Sequence, residues 1–392
     1  MAPPVAVLDL TLPREGSGTV RDLLSRGLRR LLTDLGRLDV RGASPAARAA
    51  YAGLLAAVRE AMAAAPGAVW SALRRPTVGA LIRVARFPGR TAAVLDELVA
   101  TLAVELALAG ALGSPLRVPA PPRIVGLGAR TSWRLPTGAL VCGAGVVHEG
   151  EQGTRALAEF EADPHDRPVV IADGLVLAPI DNNPLAHVEA HPDKQGNAVD
   201  LGGRAPEAWA AALREALALV ERWLPGIRAE MAVVLQQVVP VGYDAERHLS
   251  ASYQEAIGTV YLSLHPDPMT LAEALVHEFQ HNKINLLLEL DAVLENAYSP
   301  LYASPVRPDP RPLHGVLLAV HAFLPVARMY MEMLAAGDPR AADPRFRQRY
   351  AAIVAGNRQG VEVLRAHARP TNLGAGVLAE IDALERGFAG VA

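Results

Sequence analysis

The chain has 392 residues, of which 51% are hydrophobic and 5% aromatic, with a formal net charge of −3. That is ample for a large core, and the length suggests two or three domains. The near-neutral balance and the lack of a long basic tract argue against binding nucleic acid or attaching electrostatically to a membrane.

The first residues, MAPPVAVLDLTLP, show no basic stretch leading into an apolar run, so no signal peptide is expected. Residues 18–112 read as helical. Leu23, Leu24, Leu28, Leu31 and Leu32 recur at helical spacing, and Tyr51–Met62 and Thr91–Leu112 behave likewise. The most apolar stretch, Leu95–Leu112, carries Asp96, Glu97 and Glu105, which argues against a membrane span. Residues 116–205 form a β-rich segment, with Pro122–Leu127, Ala139–Val147 and Pro168–Val176 read as strands and Asp181–Gly203 as a long surface loop. The one cysteine, Cys142, excludes an intramolecular disulfide and fits a reducing, cytoplasmic setting.

Residues 206–392 read as mainly helical. Trp209, Leu213, Leu217, Val220 and Leu224 keep a helical period across 206–235. The run TVYLSL (259–264) reads as a strand, followed by a helix over about Leu271–Leu294 with Thr270 and Glu273 as a capping box. Further helices are expected over Leu313–Leu334, Phe346–His367 and Asn372–Phe388. The predicted fold class is therefore α+β and mostly helical. Residues 1–115 form a helical N-terminal region, 116–205 a small β-sheet, and 206–392 a mainly helical region.

Residues 277–281 read HEFQH. Two histidines four apart on a helix share one face, so both imidazoles can reach a single ion. Glu278 stands beside them and can hold or move a proton on metal-bound water. A third ligand is needed to fix the geometry. The residues after His281 supply none, while His321 and His314 lie on the next helix, seven apart and therefore on one face. His321 sits among apolar residues (AVHAFLP) and is the first choice; His314, near the helix start, is the second. A strand immediately before such a helix is a zincin-like arrangement, which makes 206–392 a metal-binding helix core, and the strand could serve as an edge that pairs with an extended peptide. The proline-rich crossover between the two helices carries Arg307 and Arg311, whose planar forks match a carboxylate, though a stiff linker could equally leave them facing solvent. The cluster HVEAH (His187, Glu189, His191) has no helix signal and reads as a loop rather than a metal site.

The run LAEALVHEFQHNKINLLLEL, then YSP, then RPDPRPLHGVLLAVHAFLPVA resembles the H-E-x-x-H-motif peptide-modification proteins, which act on ribosomally made precursor peptides. The match covers about residues 240–330. The resemblance implies an Fe(II)- and 2-oxoglutarate-dependent hydroxylase that uses O₂ to place a hydroxyl on a β-carbon of a precursor-peptide side chain. His277, His281 and His321 would be its metal ligands, and Arg311 or Arg307 would hold the far carboxylate of the cosubstrate. The motif alone fits a zinc metallopeptidase with Glu278 as general base. A peptide-binding protein with a structural metal is the non-enzymatic alternative.

Overall fold

The computed structural model describes residues 9–160, 166–186, 197–303 and 309–388. It is α+β and mostly helical, as predicted. Five helices come first: α1 (Thr19–Leu35), α2 (Pro45–Ala64), α3 (Pro66–Arg74), α4 (Pro76–Ala85) and α5 (Thr91–Leu108). Next come β1 (Leu116–Pro119), the hairpin β2 (Arg123–Gly126) and β3 (Thr131–Arg134), then β4 (Ala139–Cys142), β5 (Val146–Gly150) and β6 (Gly153–Ala156). An antiparallel sheet of order β1-β4-β5-β6 closes one end of a core shared with α2 to α5. Helix α5 is buried from Leu98 to Ala107, with its exposed positions confined to the first two turns and the final residue, as a helix running into the centre of a core should be.

The second half contains β7 (Val169–Ala172), β8 (Leu175–Leu177), α6 (Pro206–Trp223), α7 (Pro225–Val234), β9 (Gln237–Tyr243), β10 (Ser250–Ala251), β11 (Thr259–Leu264) and α8 (Pro268–Leu288). A two-stranded ladder of β12 (Leu301–Tyr302) and β13 (Arg311–Pro312) leads into α9 (Leu313–Ala335), α10 (Pro344–His367) and α11 (Asn372–Arg386). The five-stranded sheet has the order β10-β11-β9-β8-β7, so strands from 169–177 pair with strands from 237–264. Seven of the eleven described α-helices begin at a proline. Proline at the first helical position loses no hydrogen bond and presets φ, so a proline-rich chain can still be mainly helical. The same rule divides the helix expected over 206–235. Pro225 has no N–H to continue α6, and it starts α7 instead.

The run TVYLSL forms a strand, but not an open edge. Strand β11 lies parallel to β9 along one side, while β10 pairs antiparallel on the other. The Ser263 N–H also donates to the Leu249 carbonyl at 2.8 Å. All six of its residues are buried, as befits an interior strand of a mixed sheet.

Helix α8 starts at Pro268 rather than Leu271, and Asp267 caps it by accepting from the Met269 N–H at 3.0 Å. Thr270 lies inside the first turn and donates its hydroxyl to Asp267 at 3.1 Å. The helix ends at Leu288, short of Leu294. There the buried Glu289 turns to the N-terminal helices, accepting from Arg86 Nη2 at 3.0 Å and lying 3.5 Å from Arg83 Nε. Helix α9 runs antiparallel to α8, since Tyr330 meets Glu273 near the α8 start and Phe323 meets His277 farther along. Among the described residues α9 is the one helix long and apolar enough to cross a membrane, but 72% of its apolar window is buried inside the fold.

Candidate metal centre

The His277 and His281 rings meet edge to face on α8, with Nε2 atoms 2.9 Å apart. Glu278 is 3% exposed, and one of its oxygens has no hydrogen-bond partner. Ligand atoms of His277, Glu278 and His281 all lie within 4.8 Å of one another. Two imidazole nitrogens this close can both reach one ion at about 2.0–2.2 Å, in a four- or a six-coordinate site. With no ion between them, the same contact is a hydrogen bond from one neutral ring to the other.

Burial pushes the pKa of His277 well below the usual histidine range, with the neighbouring His281 and Arg349 adding to the effect. Burial also lowers His281, opposed by the Glu278 carboxylate. Both rings are thus held neutral, the form in which imidazole binds a metal. Each has a buried Nδ1 with no partner among the described residues, where a metal-bound histidine usually has a second hydrogen bond.

His321 reaches this region from α9. It is fully buried, and neither ring nitrogen has a partner. Leaving a buried polar group unpaired costs roughly 1–3 kcal/mol; an ion would satisfy one of these two nitrogens and leave the other N–H still in need of an acceptor. Burial lowers its pKa strongly, with the Lys283 charge and the neighbouring His281 adding to the effect. It falls outside the tight group of three, so the structure brings it to the same helix interface without joining it to the cluster. His314 is half-buried, not exposed. Its ring packs on Tyr298, and its pKa is lowered by burial and by His281.

The helix is pinned to the sheet by Asn282, which is 1% exposed. Its carboxamide accepts from the Gly258 N–H at 2.7 Å and donates to the Thr259 and Glu278 carbonyls at 3.1 and 3.0 Å. Ser252 donates to the same Glu278 carbonyl at 3.1 Å. These contacts lock the backbone of the motif turn.

A cleft of about 970 Å³ opens at His277 and is also lined by Glu273, Phe323, Tyr330 and Arg349. The Phe323 ring centroid lies 4.5 Å from that of His277, and the Arg349 guanidinium sits 5.6 Å from the Phe323 centroid. Arg349 pairs with Glu273, and the Tyr330 hydroxyl donates to the same carboxylate at 3.1 Å. Sequence reasoning missed Arg349, because nothing local marks an arginine that a distant helix delivers. It also read Glu273 as a cap.

Arg311 lies on β13, pairs with Asp309 at 2.9 Å and does not line this cleft. Arg307 falls outside the described residues, as do His187, Glu189 and His191. Asp181 and Asn183, read as part of a surface loop, instead belong to a largely buried polar cluster: Tyr261 donates to Asp181 at 2.7 Å and Asn183 to Glu255 at 3.0 Å. No protein-family model matches the chain, and no curated protein matches it.

Proposed function

We propose that this chain is a metal-dependent peptide-modifying enzyme, and specifically an Fe(II)- and 2-oxoglutarate-dependent hydroxylase of a precursor-peptide side chain. The observation that carries this reading is the group of His277, Glu278 and His281, whose ligand atoms lie within 4.8 Å of one another on one turn of α8; the choice of iron and 2-oxoglutarate rests on the sequence resemblance over about residues 240–330. His277, His281 and His321 would hold the metal, leaving positions for cosubstrate and O₂. When bound, ferrous iron with 2-oxoglutarate supplies an oxidant able to hydroxylate an unactivated C–H bond. A cytoplasmic location belongs to the same reading, since reducing conditions keep iron ferrous.

The chain's own residues prepare this chemistry. Burial keeps the imidazoles neutral and ready to bind. Asn282 and Ser252 hold the turn that carries Glu278. Phe323 packs on His277 and shields that ring from water. The cleft at His277 would admit the peptide.

The second reading is a zinc peptidase, favoured by Glu278, a buried carboxylate beside both rings with an oxygen left unpaired. There Glu278 would take the proton from the attacking water. One experiment separates the two. The full chain is loaded anaerobically with Fe(II), then given 2-oxoglutarate, O₂ and each short peptide that the neighbourhood of its gene is found to encode. Succinate release matched by a gain of one oxygen on the peptide supports the hydroxylase. Peptide cleavage with zinc and without cosubstrate, abolished by Glu278→Gln, supports the peptidase. Tight metal binding with neither activity leaves a peptide-binding protein with a structural metal.

A further inference from the structure

The hydroxylase reading requires a cation for the far carboxylate of its cosubstrate. Arg349 and Tyr330 at the His277 cleft form a cradle that already holds a carboxylate, that of Glu273. Glu273 precedes His277 by one helical turn and so lies on the same face of α8. Its carboxylate takes the Arg349 guanidinium, with Nε to Oε2 at 3.2 Å, and the Tyr330 hydroxyl at 3.1 Å. An arginine fork and a phenol converging on two oxygens are what recognition of any carboxylate requires. Phe323 stands between this cradle and the metal centre, touching His277 on one side and Arg349 on the other. His277, Phe323 and Arg349 line one cleft, so a ligand held at the metal centre and a carboxylate at Arg349 share the same space. The Arg349 side chain is 46% exposed and accessible from the cleft, whereas Glu273 is 15% exposed.

We propose that Arg349, assisted by Tyr330, anchors the remote carboxylate of the dicarboxylate cosubstrate, and that Glu273 is an internal competitor that must yield this place. The proposal rests on the hydroxylase reading, and it moves the anchoring role from Arg311 and Arg307 to a residue on α10. Glu273 keeps the guanidinium aimed and satisfied when no ligand is bound, at the cost of affinity when one is.

The test is calorimetric titration of 2-oxoglutarate into the full chain loaded with redox-inert Mn(II), with acetate as a control that lacks a remote carboxylate. Glu273→Gln keeps the shape, removes the competing charge, and should tighten 2-oxoglutarate binding roughly three- to tenfold. Arg349→Gln should weaken it at least about tenfold, and Arg349→Lys should restore part of the loss. Acetate binding should be the same in all variants. If the triad only ties α8, α9 and α10 together, Glu273→Gln will leave affinity unchanged or lower it, which overturns the proposal. So does full affinity in Arg349→Gln, or no 2-oxoglutarate binding by the wild-type chain. A cosubstrate that binds through Arg349 while no peptide is ever hydroxylated would keep the anchor and sink the hydroxylase reading. Hydroxylation that survives Arg349→Gln with unchanged affinity would do the reverse.

Discussion

Lys283 Nζ lies 2.6 Å from Glu230 Oε2, and the lysine is completely buried on the helix that carries both motif histidines. Burial lowers the lysine's pKa, opposed mainly by Glu230, with Glu380 and Asp9 adding to that opposition. Burial in turn raises Glu230. Glu380 accepts the N–H groups of Leu10, Thr11 and Leu12, and Gln280, inside the motif, donates to the Thr11 carbonyl at 3.0 Å. The back of α8 is thus clasped by an N-terminal strap and a buried ion pair.

Removing one partner of a buried pair strands the other charge, whereas replacing both with apolar groups can cost almost nothing. Lys283→Met should therefore lower unfolding stability by about 2–4 kcal/mol. The double variant Lys283→Met with Glu230→Leu should recover most of that loss in urea denaturation. Losses that simply add would mean that the two side chains do not act as a pair.

His321 has two unpaired ring nitrogens in a fully buried setting. If an ion is the partner of one of them, the metal-free protein carries a penalty that the loaded protein does not. His321→Leu should then raise the melting temperature of the metal-free chain, by an amount worth roughly 1 kcal/mol. It should also weaken divalent metal binding at least tenfold, the scale seen when a metal site loses even an outer-shell partner. His314→Ala should leave affinity within about threefold, since that ring packs on Tyr298 instead. Metal content by mass spectrometry of dialysed protein measures both, and the opposite ranking would pass the third-ligand role to His314.

Asp181 carries a pKa raised to about 6, chiefly by burial and against the hydrogen bond from Tyr261. An acid raised in the folded state holds its proton there while the unfolded chain has already released it. The folded state is therefore favoured below the ordinary value of 3.8 and loses that advantage as pH climbs to about 6. The loss amounts to at most roughly 3 kcal/mol. Asp181→Asn keeps an acceptor for Tyr261 and cannot ionise. Its stability relative to the parent should rise between about pH 4 and about pH 7 and then level off. A difference that stays flat with pH would show that Asp181 does not titrate in this window.

Features set by neighbours along the chain could be read without the structure. The four-residue spacing of His277 and His281 follows from the helical repeat, and the periodic leucines of residues 18–112 do become helices. The sequence also placed α9, α10 and α11 within a few residues of where they lie. The misses have local causes with competing partners. Thr270 looked like a cap, but Asp267 with Pro268 starts the helix sooner. Leu288 ends it early because Glu289 finds two arginines from α4 and the turn after it.

Other relationships depend on chain segments meeting across the fold, and no local pattern encodes them. TVYLSL looks the same as an edge or an interior strand; only the arrival of β10 and β9 on its two sides closes it. Arg349 comes to the cleft because α10 packs on α9, which brings it within reach of Glu273 on α8. A residue's partners on its own helix are dictated by the 3.6-residue turn, whereas partners from other elements are chosen by how apolar faces pack, and one chain read in order carries the first kind of information but not the second.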